Sequence, residues 1–241
     1  GVERVHVVGA GVMGGDIAAW CAAQGLAVSL QDTTAERIAP AVKRAHGLFQ
    51  KRLKDRRRVT AAMDRLMPDP AGDGARRADL VIEAIVEDAA AKRALFAELE
   101  PRLAADALLA TNTSSIPLEA LGRDLARPER LVGLHFFNPV AKMQLVEVVA
   151  SPGTADWARD RAAAFTRAID RLPVTVTSTP GFLVNRVLMP YLLEAMLLVD
   201  EGVAAPAVDR AAEDFGMPMG PVELADWVGL DICLSVAEIL A

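Results

Sequence analysis

Residues 4–32, RVHVVGAGVMGGDIAAWCAAQGLAVSLQD, constrain the fold more than any other stretch of the 241-residue chain. A short apolar run ends in glycines. The segment 11–25 then shows helical spacing and stops at a glycine, and 26–32 reads as a second strand. Strand, glycine turn, helix and strand within about thirty residues form a βαβ unit, whose strands must lie parallel in one sheet.

Within that unit Gly9, Gly11 and Gly14 match G-x-G-x-x-G. A chance glycine cluster would match equally well, so the context carries the argument: the motif leaves a strand and opens a helix. Gly9 permits the tight turn, Gly11 lets backbone approach a pyrophosphate at the helix N-terminus, and Gly14 allows close helix–sheet packing. Asp32 ends the second strand eighteen residues after Gly14. A carboxylate there accepts hydrogen bonds from an adenosine ribose and repels a 2′-phosphate, so the expected cofactor is NAD rather than NADP. Asp16 is the discordant residue. In the first helical turn it suits the dipole but should point away from the phosphates.

Alternation continues downstream. Strand-like DLVIEAI (79–85), helical 88–103, strand-like ALLATN (107–112), the runs LVGLHFF and LVEVV, a helix around 154–170 and PVTVT (173–177) follow in turn. This order predicts a Rossmann-type, doubly wound α/β fold, its sheet mostly parallel and covered by helices on both faces. At STPG (178–181) the pattern changes to helical periodicity alone: 182–201, roughly 206–215, and 220 to the end. The expected domains are 1–178, binding dinucleotide, and a smaller all-helical unit, 179–241. About sixty residues is marginal for an independent core, so the helical part should pack on its neighbour or on another subunit.

The composition narrows the function. The net charge of −6 argues against nucleic acid as a partner. The most apolar stretch, 187–200, is interrupted by Pro190 and Glu194 and is too short to span a bilayer. Cys21 and Cys233 sit in apolar, helix-like segments. A disulfide is conceivable, but buried free thiols fit better and suit a reducing compartment, the cytoplasm or alternatively a mitochondrial matrix or peroxisome. No metal site is expected.

Three histidines occur. His6 lies inside the first strand and reads as structural; His46, on a basic helix, reads as solvated. His135 ends a strand just before Asn138-Pro139, on the side of an open α/β sheet where ligands bind. If 131–136 and 144–149 pair antiparallel, a register opposing His135 and Glu147 brings their Cβ atoms to about 4.5–5.5 Å on one face. A one-residue slip would separate them. A satisfied core histidine beside an unrelated glutamate explains these residues alone equally well.

The ordered set GAGVMG, EAIVED, TNTSSIPL, GLHFFNPV, LVEVV, TPGFLVNR and GMPMGPVELADWVGLD resembles the L-3-hydroxyacyl-CoA dehydrogenase family of fatty-acid β-oxidation over essentially the whole chain. The resemblance implies His135 as general base, Glu147 as the group holding it, and Ser114 and Asn185 in contact with substrate. Glu87, Lys92, Asn112 and Asn138 fall at cofactor-side positions, although a solvated strand end also accounts for Glu87. Lys43 matches a family lysine implicated in coenzyme A binding. For the basic stretch 43–58 as a whole, a solvated helix face is the competing reading. The chemistry is coherent: oxidising a secondary alcohol needs its hydroxyl proton removed as hydride leaves, and an imidazole suits that near neutral pH.

The expected activity is NAD-dependent oxidation of (3S)-3-hydroxyacyl-CoA. The alternatives are a non-catalytic dinucleotide-binding module of the same fold, and a 3-hydroxybutyryl-CoA dehydrogenase outside β-oxidation. The chain opens without methionine, and it stops before the further helices expected of the family. It is therefore expected to be a piece of a longer protein, first a multifunctional one with an enoyl-CoA hydratase unit upstream, with a trimmed stand-alone dehydrogenase as the alternative. A homodimer is expected through the apolar faces of the helical part.

Overall fold

The computed structural model describes residues 1–230, 233–234 and 236–237. The chain divides into two compact units, Gly1–Ser178 and Thr179–Ala241.

The first unit runs β1 (Arg4–Val8), α1 (Val12–Ala23), β2 (Ala27–Gln31), α2 (Ala35–Leu53), α3 (Arg56–Arg65), β3 (Leu66–Pro68), β4 (Leu80–Glu83), α4 (Ala89–Leu99), β5 (Leu108–Thr111), α5 (Leu118–Gly122), β6 (Leu131–Phe136), β7 (Leu145–Ala150), α6 (Asp156–Ala168) and β8 (Leu172–Thr177). Its eight-stranded sheet has the order β3-β2-β1-β4-β5-β6-β7-β8. Neighbouring strands run parallel except β6 and β7, which pair antiparallel. This is the doubly wound, mostly parallel arrangement that the alternating pattern predicts. Strands β4, β5 and β6 are buried throughout, which explains their continuous apolar runs.

Helix α1 is apolar nearly all round, with Ile17, Trp20 and Cys21 fully buried. Trp20 donates to the Ile169 carbonyl at 2.7 Å, and the Arg171 guanidinium lies 3.6 Å from its ring centroid. Asp16 is the fifth residue of α1, and no acid occupies the first turn, which corrects the placement read from sequence. The basic stretch 43–58 is also two helices rather than one. Lys54 takes a left-handed φ of 58° and ends α2, and Asp55 accepts from the Arg58 amide at 2.9 Å to cap α3. The expected helix 88–103 is α4, closed by a tighter turn over Glu100–Arg102 that contains Pro101. Strand β3 and helices α3 and α5 carry too few periodic positions to be read from sequence.

The second unit holds α7 (Val184–Asp200), α8 (Ala205–Phe215) and α9 (Pro221–Val228). Met189, Leu192 and Val236 form its small core. The Val222 amide donates to Asp209 at 2.8 Å, joining α8 to α9. The expected final helix lies partly outside the described residues. Among the described residues, no helix is long and apolar enough to cross a membrane. No disulfide joins Cys21 to Cys233, and burial pushes the Cys21 thiol up to about 12.

Candidate active site

The glycine turn after β1 is built as its sequence requires. Gly9 has φ 104°, and a Cβ on it would sit 2.4 Å from the Ala84 carbonyl oxygen. A Cβ on Gly14 would sit 1.9 Å from the Gly9 carbonyl oxygen, so α1 can approach β1 only through glycine. Gly11 differs: a Cβ there would meet nothing within 4 Å. The fold does not need a glycine at 11, and the open space suits a ligand approaching the backbone. Asp32 follows β2 and takes the Ala10 amide at 2.8 Å, which ties the carboxylate to the same turn. These residues fit a dinucleotide. Arg44, from α2, reaches the turn as well, donating to the Gly11 carbonyl at 2.8 Å and pairing with Asp16 at 3.3 Å. Asp16 therefore answers to an arginine and not to the phosphates. Lys43 is exposed on the same helix.

At the antiparallel pair, His135 faces Glu147 in register. Gly133 pins that register, because a Cβ on it would lie 2.6 Å from the Val149 Cβ directly opposite. His135 Nδ1 is 2.7 Å from Glu147 Oε2. The carboxylate is fully buried and the imidazole side chain is 8% exposed. The Phe137 ring packs on the imidazole at a centroid distance of 4.5 Å. Asn138 is exposed at the head of the β6–β7 loop, and its peptide bond to Pro139 is cis.

The strand ends beside this pair converge. Asn112 follows β5 and accepts from the Phe136 amide at 2.9 Å, which stitches the β5 and β6 ends together. Glu87 takes the Ser114 amide at 2.8 Å, the Thr113 hydroxyl at 2.5 Å and the Ser115 hydroxyl at 3.3 Å. Lys92 stands 3.3 Å from Glu87 and 2.7 Å from Glu83. Burial pushes the Glu87 carboxyl up, but the Lys92 ammonium and the bonds from Thr113 and Ser114 outweigh it and hold it below the usual carboxylate range. Glu87 is thus an anchored group, although its side chain is still 37% exposed. Lys92, at 1% exposure, has no open surface of its own. Asn185 lies in the first turn of α7, in the second unit.

The other histidines match their sequence readings. His46 is exposed. His6 is buried, with Nδ1 2.7 Å from Ser29 Oγ and Nε2 2.8 Å from Gln31 Oε1. The sequence reading missed Glu83, Thr111, Thr113 and Arg44. Glu83 had a signal, since it is a lone carboxylate ending the apolar run LVIE.

Comparison with known proteins agrees with this geometry. The family model for the NAD binding domain of 3-hydroxyacyl-CoA dehydrogenase matches residues 4–179, and that for the C-terminal domain matches 181–241. The fatty acid oxidation complex subunit alpha of Acinetobacter baylyi is 37% identical over the whole of this chain, which spans 34% of that protein's length. The chain thus covers about a third of the curated relatives it matches. The solved 3-hydroxybutyryl-CoA dehydrogenase of Escherichia coli K12 superposes with a TM-score of 0.95 at 40% identity, covering 99% of this chain and 52% of that one. The (S)-3-hydroxybutyryl-CoA dehydrogenase of Ralstonia eutropha also gives 0.95, at 33% identity, covering 100% of this chain and 87% of that one. The cofactor is NAD, and the chain belongs to the 3-hydroxyacyl-CoA dehydrogenase family.

Proposed function

We propose that this chain oxidises (3S)-3-hydroxyacyl-CoA thioesters to 3-oxoacyl-CoA in fatty-acid β-oxidation, with His135 as general base. The observation that carries the reading is the buried 2.7 Å contact between His135 Nδ1 and Glu147. A carboxylate only accepts, so it holds the tautomer with Nδ1–H and leaves Nε2 to take the substrate's hydroxyl proton. Glu147 also stabilises the imidazolium that forms, as the carboxylate does in a Ser-His-Asp triad. Ser114 and Asn185 are assigned to the substrate oxygens through the family motifs they match.

NAD, when bound, supplies the hydride acceptor. Gly9, Gly11, Gly14 and Asp32 would hold its adenosine end. Glu87, backed by the buried Lys92, would face the cofactor together with Asn112 and Asn138. Lys43 would meet a phosphate of coenzyme A. The decisive assay is NADH oxidation with a 3-oxoacyl-CoA, run against the free 3-oxo acid. Equal rates with both would overturn the thioester assignment.

The two solved relatives named for 3-hydroxybutyryl-CoA favour a second reading, a preference for four-carbon thioesters. A chain-length series of 3-oxoacyl-CoA substrates separates the two. We further propose that the parent chain carries an enoyl-CoA hydratase unit, in line with relatives roughly three times as long. We also propose the reducing cytoplasm as its compartment, a reading supported by two cysteines that form no disulfide with each other. Val187, Leu193, Leu197 and Trp227 of the second unit are exposed, and the proposal includes a homodimer through such apolar faces. Sedimentation at several concentrations tests it; a monomer throughout would exclude it.

A further inference from the structure

Glu83 is the last residue of β4, and Thr111, its partner across the ladder, is the last residue of β5. Both stand at carboxyl ends of parallel strands, where loops turn toward ligands. The Glu83 side chain is fully buried and takes three donors: the Thr111 hydroxyl at 2.6 Å, the Lys92 ammonium at 2.7 Å and the Ile85 amide at 2.7 Å.

Two routes lead from Glu83 to the 113–115 loop. One passes through Lys92 to Glu87, which gathers the Thr113 hydroxyl and the Ser114 amide. The other passes through Thr111, whose hydroxyl oxygen accepts from the Thr113 amide at 3.3 Å. Stability alone is a poor reason for this arrangement. A buried ion pair must overcome the desolvation of both charges, and apolar residues of similar volume often serve a fold as well or better. Fixing one carboxylate in place and orientation is what apolar residues cannot do.

We propose that Glu83 is a positioning residue for the reaction: through Lys92 and Thr111 it fixes the Glu87 carboxylate and the loop from which Ser114 meets the substrate. The proposal rests on the reading of Ser114 as a substrate contact. With Glu83 neutral, the Lys92 ammonium keeps only one of its two carboxylate partners and is drawn toward Glu87. The Ser114 anchor moves with it. A displacement of this size costs catalysis more than it costs folding.

The test uses Glu83→Gln, Ser114→Ala and the double variant, read by two measurements. In steady-state reduction of a 3-oxoacyl-CoA, Glu83→Gln should lower kcat roughly 10–100-fold. The double variant should be no worse than the weaker single variant, because both act through one contact. Multiplying losses, or an unchanged kcat, would overturn the proposal. Amide hydrogen exchange needs no substrate. Glu83→Gln should speed exchange across 111–118 at least about tenfold while leaving 4–8 unaltered. Unchanged exchange at 111–118 would overturn the relay even if the proposed reaction stands. A chain without thioester turnover would overturn that reaction and leave exchange to decide Glu83. Should Glu83→Gln not fold, Thr111→Val removes one of its donors without altering any charge. It should move both readouts in the same direction by a smaller factor, and silence in both would overturn the proposal.

Discussion

His135 and Glu147 lie twelve residues apart in sequence and face each other in the β6–β7 ladder, with Nδ1 2.7 Å from Oε2. Gly133, two positions earlier, permits this close pairing, because a Cβ there would lie 2.6 Å from the Val149 Cβ. If His135 is the base, His135→Gln should lower kcat by about 10²–10⁴-fold and leave NAD binding intact. Glu147→Gln should cost less, because an amide can still accept from Nδ1–H in one of its two orientations. Steady-state kinetics with NADH titration reads both, and near-normal turnover in His135→Gln would remove the histidine from the mechanism.

Asp32 is held against the glycine turn by the Ala10 amide, so its charge is fixed beside that turn, where the proposed ribose site lies. The unmodified chain should prefer NAD over NADP in kcat/KM, and Asp32→Ala should narrow the gap by removing a like charge from the 2′-phosphate. Equal use of the two cofactors by the unmodified chain would contradict this assignment of the carboxylate.

The parts of the site that sequence revealed are those where one residue breaks a strong pattern. Gly9 and Gly14 stand out because backbone demands leave only glycine there, Gly11 because it completes their spacing, and His135 and Glu147 because apolar strands seldom carry charge. The mostly parallel sheet followed from alternation, while the strand order and the choice of the β6–β7 register that joins His135 to Glu147 came from the structure. What stayed hidden depends on contacts between distant segments. Nothing local shows that Lys92 lies between two carboxylates, that Glu87 gathers Thr113 and Ser114, or that Arg44 leaves a basic helix to bind the Gly11 carbonyl. The break at Lys54 was hidden for another reason: a left-handed residue inside a basic run leaves the hydrophobic spacing unmarked.

His6 links stability to pH. Burial lowers its pKa below the ordinary 6.5, against the opposing bond from Gln31 and the charge of Asp69. The folded state therefore holds the ring neutral while the unfolded chain takes up a proton once pH falls below about 6.5. The stability His6 contributes is fully present above that pH and is lost as pH falls toward the lower folded value. His6→Gln keeps groups able to bond Ser29 and Gln31 without titrating. Thermal unfolding followed on both sides of that pH should show a shallower acid loss in His6→Gln, and parallel curves would assign the acid sensitivity to other groups.

Gly11 and Gly14 belong to one motif, yet the structure gives them different duties. A methyl group at Gly14 would collide with the Gly9 carbonyl oxygen, so Gly14→Ala must push α1 away from β1. That is a backbone clash in a packed core, and it should destabilise the chain by about 1–3 kcal/mol or more. Gly11 has φ −60°, which any residue adopts, and open space where its Cβ would be. Gly11→Ala should therefore melt within a degree or two of the unmodified chain, since a surface change away from special features costs only about ±0.5 kcal/mol. Its effect should fall on NAD, because the added methyl enters the space the pyrophosphate needs. Melting curves and NADH titration on the two variants separate the duties. Gly11→Ala should bind NADH at least about tenfold more weakly while unfolding normally. Unchanged affinity in Gly11→Ala would mean that the pyrophosphate does not lie against this turn.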